Sequence, residues 1–134
     1  MDGYSYGSHS KYSINVHLIF VTKYRKKIFR LIKVSDDVKQ FLHDVSQKHG
    51  YKTIQMESDL DHVHILLDYM PNTSVYNIVK QLKQYSTYQM WKYHREYLFK
   101  HYWKREVFWS DGYFACSIGK ISQEIIEKYI QTQG

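Results

Sequence analysis

The sequence predicts an α+β fold, in which helices pack on one antiparallel or mixed sheet. Three observations predict it. Patterns typical of strands and helices follow one another in the order β-α-β-β-α-β-α. The chain has no repeat, low-complexity tract or internal linker, and its 134 residues suffice to bury one core. We therefore assign residues 1–134 to a single domain, with the Gly-, Ser- and Tyr-rich residues 1–11 as a loose N-terminal arm.

The first element is a strand over Tyr12–Thr22, because the stretch "YSINVHLIFVT" alternates in polarity and then becomes apolar. It runs directly into "KYRKK", a dense basic cluster at Lys23–Lys27. A strand that ends in several cations brings positive charge to one edge of the predicted sheet.

The first helix is predicted to begin at Ser35, whose hydroxyl suits an N-cap, with Asp36 and Asp37 in its first turn. Gly50 ends it, as glycine often does at a helix C-terminus. Its apolar residues recur at helical spacing and are Val38, Phe41, Leu42 and Val45.

Two strands and a second helix follow. The strands lie at Lys52–Glu57 and in "DHVHILLDY" at residues 61–69, and residues 71–74, "PNTS", open the helix. The apolar stripe of this helix is Val75, Ile78, Val79 and Leu82. Its opposite face carries Lys80, Lys83 and Gln84.

The C-terminal part has a weaker pattern. "EVFWSDGYFACSIG", residues 106–119, predicts a bent strand or a hairpin with Asp111 and Gly112 at the turn. A short helix is expected from Ser122 to the end. The preceding stretch from Trp91 to Arg105 is either a surface for stacking unpaired bases or a helix that packs its aromatic rings inward. The residues concerned are Trp91, Tyr93, Arg95, Tyr102, Trp103 and Lys104.

Composition favours a polyanionic partner. The formal charge is +6, and the chain holds fourteen Tyr, six Phe and three Trp. Aromatic rings interleaved with cations suit unpaired bases, since stacking contributes about 1–3 kcal/mol per base and phosphates need counter-charge. A small domain also uses tyrosine in its core, so composition alone leaves the partner open.

The cysteine count and hydropathy predict a soluble cytoplasmic protein. Cys116 is the single cysteine, which excludes an internal disulfide and fits a reducing compartment. No N-terminal stretch is typical of a signal peptide, and no segment has the length of a membrane span. We therefore expect no membrane partner.

A pair of imidazoles stands in the third predicted strand. Alternate side chains of a strand share a face, so His62 and His64 point one way while Val63, Ile65 and Leu67 point the other. Two neighbouring imidazoles can bind one divalent cation. They can equally be ordinary half-exposed histidines, because a His-x-His pair is common.

Tyr129 and Gln133 lie one turn apart on the C-terminal helix. The amide oxygen of Gln133 is a hard ligand compatible with Mg²⁺ or Mn²⁺, and the phenol of Tyr129 is an oxygen nucleophile once deprotonated. Tyr129 also stands in a stripe with Ile125, Ile126 and Ile130, where an aromatic ring usually belongs to the core. Gly119, upstream, either lets this helix take more than one angle to the sheet or forms a plain turn.

The sequence resembles the single-tyrosine HUH transposases of small, hairpin-ended insertion sequences, the IS200-like family. The resemblance rests on five segments in the family's order over about 120 residues. They are the first strand running into "TKYRKK", the strand "DHVHILL", the helix with "IVKQLK", the strand "FWSDGYF" and the terminal "YIQTQ". Two departures are local: "SDL" precedes the histidine strand where the family often has Pro, and Cys116-Ser117 stands where Thr is expected.

The resemblance implies a ferredoxin-like antiparallel sheet and a complete active site. Tyr129 would be the catalytic nucleophile, and His62, His64 and Gln133 would bind the divalent metal, Mg²⁺ or Mn²⁺. The family cleaves and rejoins single-stranded DNA with terminal hairpins through a 5′-phosphotyrosine. It works as a homodimer with composite active sites and needs no nucleotide cofactor, which agrees with the lack of a G-x-x-x-x-G-K-[ST] loop. The resemblance also implies a bacterial or archaeal, nucleoid-associated protein.

The basic surface that would bind the hairpins is expected to include Lys23, Arg25, Lys26, Lys80 and Lys83. A domesticated relative that processes repeated palindromes would have the same chemistry, since the difference lies in the flanking DNA.

Two further alternatives remain open. One is a non-catalytic RNA-binding domain on an RRM-like sheet, because "DGYFACS" distantly resembles the RNP1 pattern. The other is a zinc site built from His62, His64 and Cys116, although zinc in a closed structural site usually takes four ligands.

Overall fold

The structure, a computed structural model, describes residues 14–117 and 123–133. Four strands and four helices follow one another in the order β1, α1, β2, β3, α2, α3, β4, α4. Their bounds are β1 Ile14–Val21, α1 Ile32–Lys48, β2 Lys52–Ser58, β3 His62–Tyr69, α2 Val75–Tyr93, α3 Arg95–Phe99, β4 Phe114–Cys116 and α4 Gln123–Gln131. Two short 3-10 helices, Lys23–Arg25 and Ile28–Arg30, follow β1. The predicted N-terminal arm and Gly119 lie outside the described residues.

The strands form one antiparallel sheet in the order β2-β3-β1-β4. Ile19 of β1 is paired with His64 on one side and with Phe114 on the other, and Val21 is paired with His62. Since paired residues share a face, this register places Phe114, Ile19 and His64 in one row across the sheet. The α+β prediction and its antiparallel sheet are confirmed.

Alternation along the strands sorts the side chains onto two faces. The face that carries Leu18 and Ile65 packs against α1 and α2 and holds the large core. Its strand residues are Val16, Leu18, Phe20, Val63, Ile65 and Leu67, all buried. The opposite face is covered by α4, which contributes Ile126 and Ile130 to a small cluster. None of the helices in the described ranges combines the length and apolar character needed to cross a bilayer.

The predicted start of the first helix is wrong. α1 begins at Ile32, three residues before Ser35, because the buried Val34 continues the apolar stripe towards the N-terminus. The hydroxyl of Ser35 lies within the helix and is 2.7 Å from that of Ser58 instead of capping. Gly50, with φ of +81°, closes the helix as predicted.

In the described part of the segment, residues 106–117, the hairpin alternative is wrong and the bent strand is right. Trp109 bridges Thr22 while Phe114 pairs with Ile19, so both pairings are with the β1 side of the sheet. Asp111 and Gly112 lie in the irregular stretch between these pairings. Lys83 provides a reason for the bend, because its Nζ donates hydrogen bonds to the carbonyls of this stretch.

The aromatic stretch from Trp91 to Arg105 divides between the two alternatives. Trp91 and Tyr102 are buried in the core, whereas Tyr93 and Trp103 are exposed. Trp91 and Tyr93 lie on different sides of α2, and Tyr102 and Trp103 follow the short helix α3, which the sequence analysis did not predict.

Candidate active site

The two imidazoles of β3 lie on the face of the sheet that α4 covers. His62 and His64 are half-buried and alternate with the fully buried Val63 and Ile65, as the sequence predicts. Alternation alone therefore brings the two rings to one side of a single strand, with the core behind them.

Asp61 orients the first imidazole. Its Oδ1 lies 3.1 Å from His62 Nδ1, and both side chains are mostly buried. A carboxylate accepts a hydrogen bond from the nitrogen it faces, so Nδ1 carries the hydrogen and Nε2 is left with its lone pair. That is the arrangement in which a histidine binds a metal ion.

A third histidine, His17 of β1, contacts the second imidazole. His17 is 5% exposed, and its Nδ1 lies 3.0 Å from His64 Nε2. Burial, and next the neighbouring His17, lower the pKa of His64, which keeps its ring neutral at physiological pH. Sequence reasoning missed His17. The signal was present, because a histidine between Val16 and Leu18 must point away from the core that they form.

Tyr129 lies across β1 from the histidines. Its ring packs against Phe114, with centroids 5.7 Å apart, beside Ile19 and Val21. The phenol oxygen is buried and has no hydrogen-bond partner among the described residues. Burial raises the pKa of Tyr129 to about 12. An unsatisfied buried hydroxyl costs about 1–3 kcal/mol, which an ordinary core tyrosine avoids by finding a partner.

Gln133 and Gly112 complete this group. Gln133 Oε1 accepts a hydrogen bond from the hydroxyl of Ser110 at 3.2 Å. A Cβ added to Gly112 would lie 3.3 Å from Gln133 Oε1 and 3.6 Å from the phenol oxygen of Tyr129. The phenol and the amide therefore meet over a backbone that has no side chain to separate them.

Lys83 fixes the backbone on which that group stands. Its Nζ donates to the carbonyls of Ser110 and Gly112 at 2.8 Å each, and lies 3.4 Å from that of Asp111. Burial lowers the pKa of Lys83 to about 8. This residue, expected in the DNA-binding surface, thus has an internal role in this conformation.

β1 separates the histidines from the Tyr129 group. Ser110 N donates to the carbonyl of Val21, and Val21 is paired with His62 on its other side. Within residues 14–117 and 123–133, no described hydrogen bond joins His62 or His64 to Tyr129 or Gln133. The two groups share one face of the sheet and lie on opposite sides of β1.

The donor set does not fit a closed structural zinc site, which usually takes four ligands. Across the described ranges, no three His, Cys, Asp or Glu side chains cluster closely enough to hold a metal, so the alternative with Cys116 is not supported. A third ligand beside His62 and His64 would have to come from another residue type, and Gln133 has an amide oxygen, the kind of ligand that Mg²⁺ or Mn²⁺ accepts.

Comparison with known proteins shows the family to which the chain belongs. Residues 10–133 match the family described as "Transposase IS200 like". The chain belongs to the IS200-like transposases. It is 31% identical over 122 residues to the ISDra2 transposase TnpA of Deinococcus radiodurans, with 91% of this chain and 85% of the relative covered. It is 29% identical over 126 residues to the transposase for insertion sequence element IS200 of Salmonella typhimurium, with 94% and 80% covered.

Solved structures agree with the fold of this IS200-like transposase. A candidate transposase of Deinococcus radiodurans R1 superposes with a TM-score of 0.85 at 27% identity, over 96% of this chain and 97% of the other. A REP-associated tyrosine transposase, solved with a REP hairpin, shares the fold with a TM-score of 0.57 at 7% identity, over 96% and 70%.

The transposase does not expose its sheet as an RRM-like RNA-binding domain would. Phe114, in the segment that resembles RNP1, packs against Tyr129 beneath α4. A base cannot stack on a ring that a helix already covers, so the RNA-binding alternative is not supported in this conformation.

Two clefts of the transposase meet at Ser110 and Asp111. The larger has a volume of about 810 Å³ and runs along α2, where Lys92, Arg95 and Arg105 line it. The smaller lies between the loop after β1 and the end of α4, and Lys23, Tyr24, Gly112, Thr132 and Gln133 line it together with the two shared residues.

The remaining predicted DNA contacts lie around these clefts. Lys23 forms an ion pair with Asp111 at 3.5 Å in the smaller cleft, while Arg25 and Lys26 are half-buried in the same loop. Lys80 is exposed on α2. Nothing in their positions conflicts with the sequence prediction, which stays a prediction.

Proposed function

We propose that this IS200-like transposase cleaves and rejoins single-stranded DNA through a covalent bond between Tyr129 and a 5′ phosphate, with a divalent cation. The observation that carries the proposal is the buried phenol of Tyr129, which has no hydrogen-bond partner in the part of the chain that the structure describes. It lies on the same sheet face as His62 and His64, with Gln133 one turn away. A polar atom that the fold buries without a partner is explained if its partner is the substrate.

His62, His64 and Gln133 would hold the cation. Asp61 already fixes the ring of His62 with Nε2 free, and the lowered pKa of His64 favours its neutral, metal-binding form. A divalent ion bound there would polarise the scissile phosphate as a Lewis acid. His17 acts as a positioning residue, because its contact with His64 sets the direction of that ring.

Tyr129 supplies the nucleophile. Because burial raises the pKa of Tyr129 to about 12, the phenol is neutral before the reaction and gives up its proton when it attacks. The phenol oxygen bonds to phosphorus, the bond to the 3′ oxygen breaks, and that oxygen takes up a proton to become a free 3′-OH. No proton is gained or lost overall.

The phosphotyrosine keeps the energy of the broken ester. A second 3′-OH can attack it, which restores a phosphodiester and returns the proton to Tyr129. This cycle consumes no nucleotide, which agrees with a sequence that lacks a phosphate-binding glycine loop.

The substrate is single-stranded DNA marked by hairpins. A duplex cannot bring its backbone into a site that lies beneath a helix, whereas an unpaired strand can. The basic cleft along α2 supplies Lys92, Arg95 and Arg105 for phosphates and joins the smaller cleft beside Gln133. The REP-associated relative, whose solved structure includes a hairpin, supports this substrate class.

The active enzyme is a homodimer with composite sites. In the described part of α4, Ile126 and Ile130 are the buried apolar residues that pack against the sheet, with Tyr129 partly buried beside them. So small an apolar contact allows α4 to detach and dock on the same face of a second copy. Mixing a Tyr129→Phe protein with a His64→Ala protein should then restore part of the activity. Two inactive proteins that stay inactive when mixed would place each site within one chain.

Incubation with labelled single-stranded DNA from the flanks of the gene, with Mg²⁺ or Mn²⁺, tests the chemistry. We expect a labelled 5′ end that migrates with the protein on a denaturing gel. Tyr129→Phe should abolish this band, and His62→Ala or His64→Ala should reduce it at least a hundredfold. The matched control is Tyr113→Phe, a half-buried tyrosine beside the same segment, which should keep the adduct. Adduct formation by the Tyr129→Phe protein would overturn the proposal.

A further inference from the structure

Two exposed aromatic rings form a stack on the surface of the transposase. Trp103 is 70% exposed and Tyr24 45% exposed, and their rings lie 5.8 Å apart with an interplanar angle of 23°. Trp91 and Trp109, by contrast, are buried. The stack contributes little to the core, so its exposure calls for an explanation other than packing.

The backbone that presents Tyr24 is strained. Tyr24 has φ of +59° and the following Arg25 +50°, the left-handed region that bulky residues rarely adopt. Three hydrogen bonds maintain this shape: Thr22 Oγ1 donates to the carbonyl of Lys26, Tyr102 Oη to that of Lys23, and Lys23 N to that of Phe108. A strained conformation that its surroundings enforce is typical of a functional site.

The stack borders the smaller cleft, which connects it with the candidate active site. Tyr24 lines this cleft, and Gly112 and Gln133 line its other side. A Cβ added to Gly112 would be in van der Waals contact with the phenol oxygen of Tyr129, at 3.6 Å. A nucleotide held on Tyr24 and Trp103 would therefore be a close neighbour of the phosphate at Tyr129.

The surrounding charge favours a nucleic acid. Lys23 Nζ lies 5.6 Å from the centre of the Tyr24 ring, and Arg25, Lys26 and Lys27 follow in the chain. A protein partner would need apolar complementarity around the rings, whereas an unpaired base needs a ring face with cations nearby for its phosphate.

We propose that Tyr24 and Trp103 form a stacking platform for one unpaired DNA base next to the cleaved phosphate, so that this pair helps to select the cleavage site. The proposal rests on the proposed function and goes beyond it, because it assigns a base-binding subsite to two residues outside the nucleophile and the metal ligands.

Single-position abasic substitution tests the platform. The probe is the intact single-stranded oligonucleotide from the flank of the gene that the protein cleaves, with one base at a time removed around the cleavage position. Binding is measured in EDTA, so that no cleavage occurs. The wild-type protein should lose about 5- to 150-fold in affinity at one position. The Trp103→Ala protein should bind the probe that keeps all its bases more weakly by a similar factor, and removal of the base at that position should no longer change its affinity. The Trp103→Phe protein should keep most of the affinity.

Tyr76→Ala is the matched control, because Tyr76 is 63% exposed near the start of α2 and lines neither of the two clefts. It should bind and discriminate as the wild type does. If Trp103→Ala did the same, or changed only the oligomeric state, the platform would be refuted while cleavage by Tyr129 stood. A wild-type protein that neither bound nor cleaved any flanking strand would overturn both proposals.

Discussion

The two faces of the sheet bury very different amounts of apolar surface. Leu18 and Ile19 are neighbours on β1 and both are fully buried, yet Leu18 points into the large core under α1 and α2, and Ile19 into the small cluster under α4. α4 adds two buried isoleucines to that cluster, worth at most about 3–6 kcal/mol before the entropy of ordering the helix. One face therefore holds the fold together, and the other holds the candidate site under a lightly attached helix.

The unequal burial of the two faces explains why the site can be both buried and accessible. A buried phenol without a hydrogen-bond partner is tolerable when its helix can move away at modest cost. The same movement would admit a DNA strand to Tyr129 and allow α4 to reach a second copy. Val63 and Ile65, packed in the large core on the opposite face, meanwhile hold β3 and its two histidines in place.

The largest expected contrast is in stability. Leu18→Ala should lower the free energy of unfolding by about 2–5 kcal/mol, because it leaves a cavity in the main core. Ile126→Ala should lower it by no more than about 1 kcal/mol, since α4 can detach while the rest stays folded. Urea denaturation measures both, and hydrogen exchange should show faster exchange of α4 amides in the Ile126→Ala protein alone. Equal losses would mean that the two faces are equally firm.

Substitution of His17 tests the face of the sheet that carries the candidate site. His17→Gln should weaken Mn²⁺ binding and DNA cleavage by about 10- to 100-fold, the range for groups that orient metal ligands, because His64 loses the contact that directs its ring. Calorimetric Mn²⁺ titration beside a thermal melt separates this loss from unfolding. His43→Gln, at an exposed position on α1, is the control. Unchanged Mn²⁺ affinity in the His17 variant would remove the positioning role.

Substitutions of two glycines should distinguish a loss of DNA cleavage from a loss of stability. Gly112→Ala should reduce cleavage about tenfold with little change in melting temperature, because its Cβ would press on Gln133 Oε1 at 3.3 Å. Gly50→Ala should do the reverse and lose about 1 kcal/mol of stability, since Gly50 has φ of +81° in open space. A Gly112→Ala protein with wild-type cleavage would show that the phenol and amide need no close approach.

The smallest effects should distinguish two lysines of α2. Lys83→Met should lower cleavage about fivefold, the equivalent of one hydrogen bond, because the carbonyls of Ser110 and Gly112 lose their donor. Lys80→Met should leave the cleavage rate at saturating DNA unchanged and reduce the dependence of log affinity on log salt by about 0.7, as for one lost phosphate contact. Rates and salt titrations of both variants test this, and identical behaviour would contradict the division of roles.

Much of the fold could be predicted from the sequence, because it depends on local periodicity. Alternation in β3 placed His62 and His64 on one face, and the helical spacing from Val38 to Val45 located the body of α1. The start of α1 could not be predicted, because burial of Val34 outweighed the capping preference of Ser35. The course of residues 106–119 depended on Lys83, a contact from another element of the chain.

The candidate site was predicted less completely. Tyr129 and Gln133 followed from helical spacing and from the family resemblance, and His17 could be deduced from alternation in β1. The burial of the Tyr129 phenol, the close approach of Gly112 and the strained loop at Tyr24 arise only when distant segments pack together. Such contacts leave no periodic signal in a single sequence.

The central claim is that the phenol of Tyr129 forms the covalent bond with DNA. After reaction with the flanking single strand and Mn²⁺, trypsin cuts after Lys128, so Tyr129 begins its own peptide and is the single tyrosine from there to residue 134. Mass spectrometry should find the nucleotide 5′-phosphate on that peptide. A nucleotide on any other tyrosine, or cleavage with no attached nucleotide, would contradict the account.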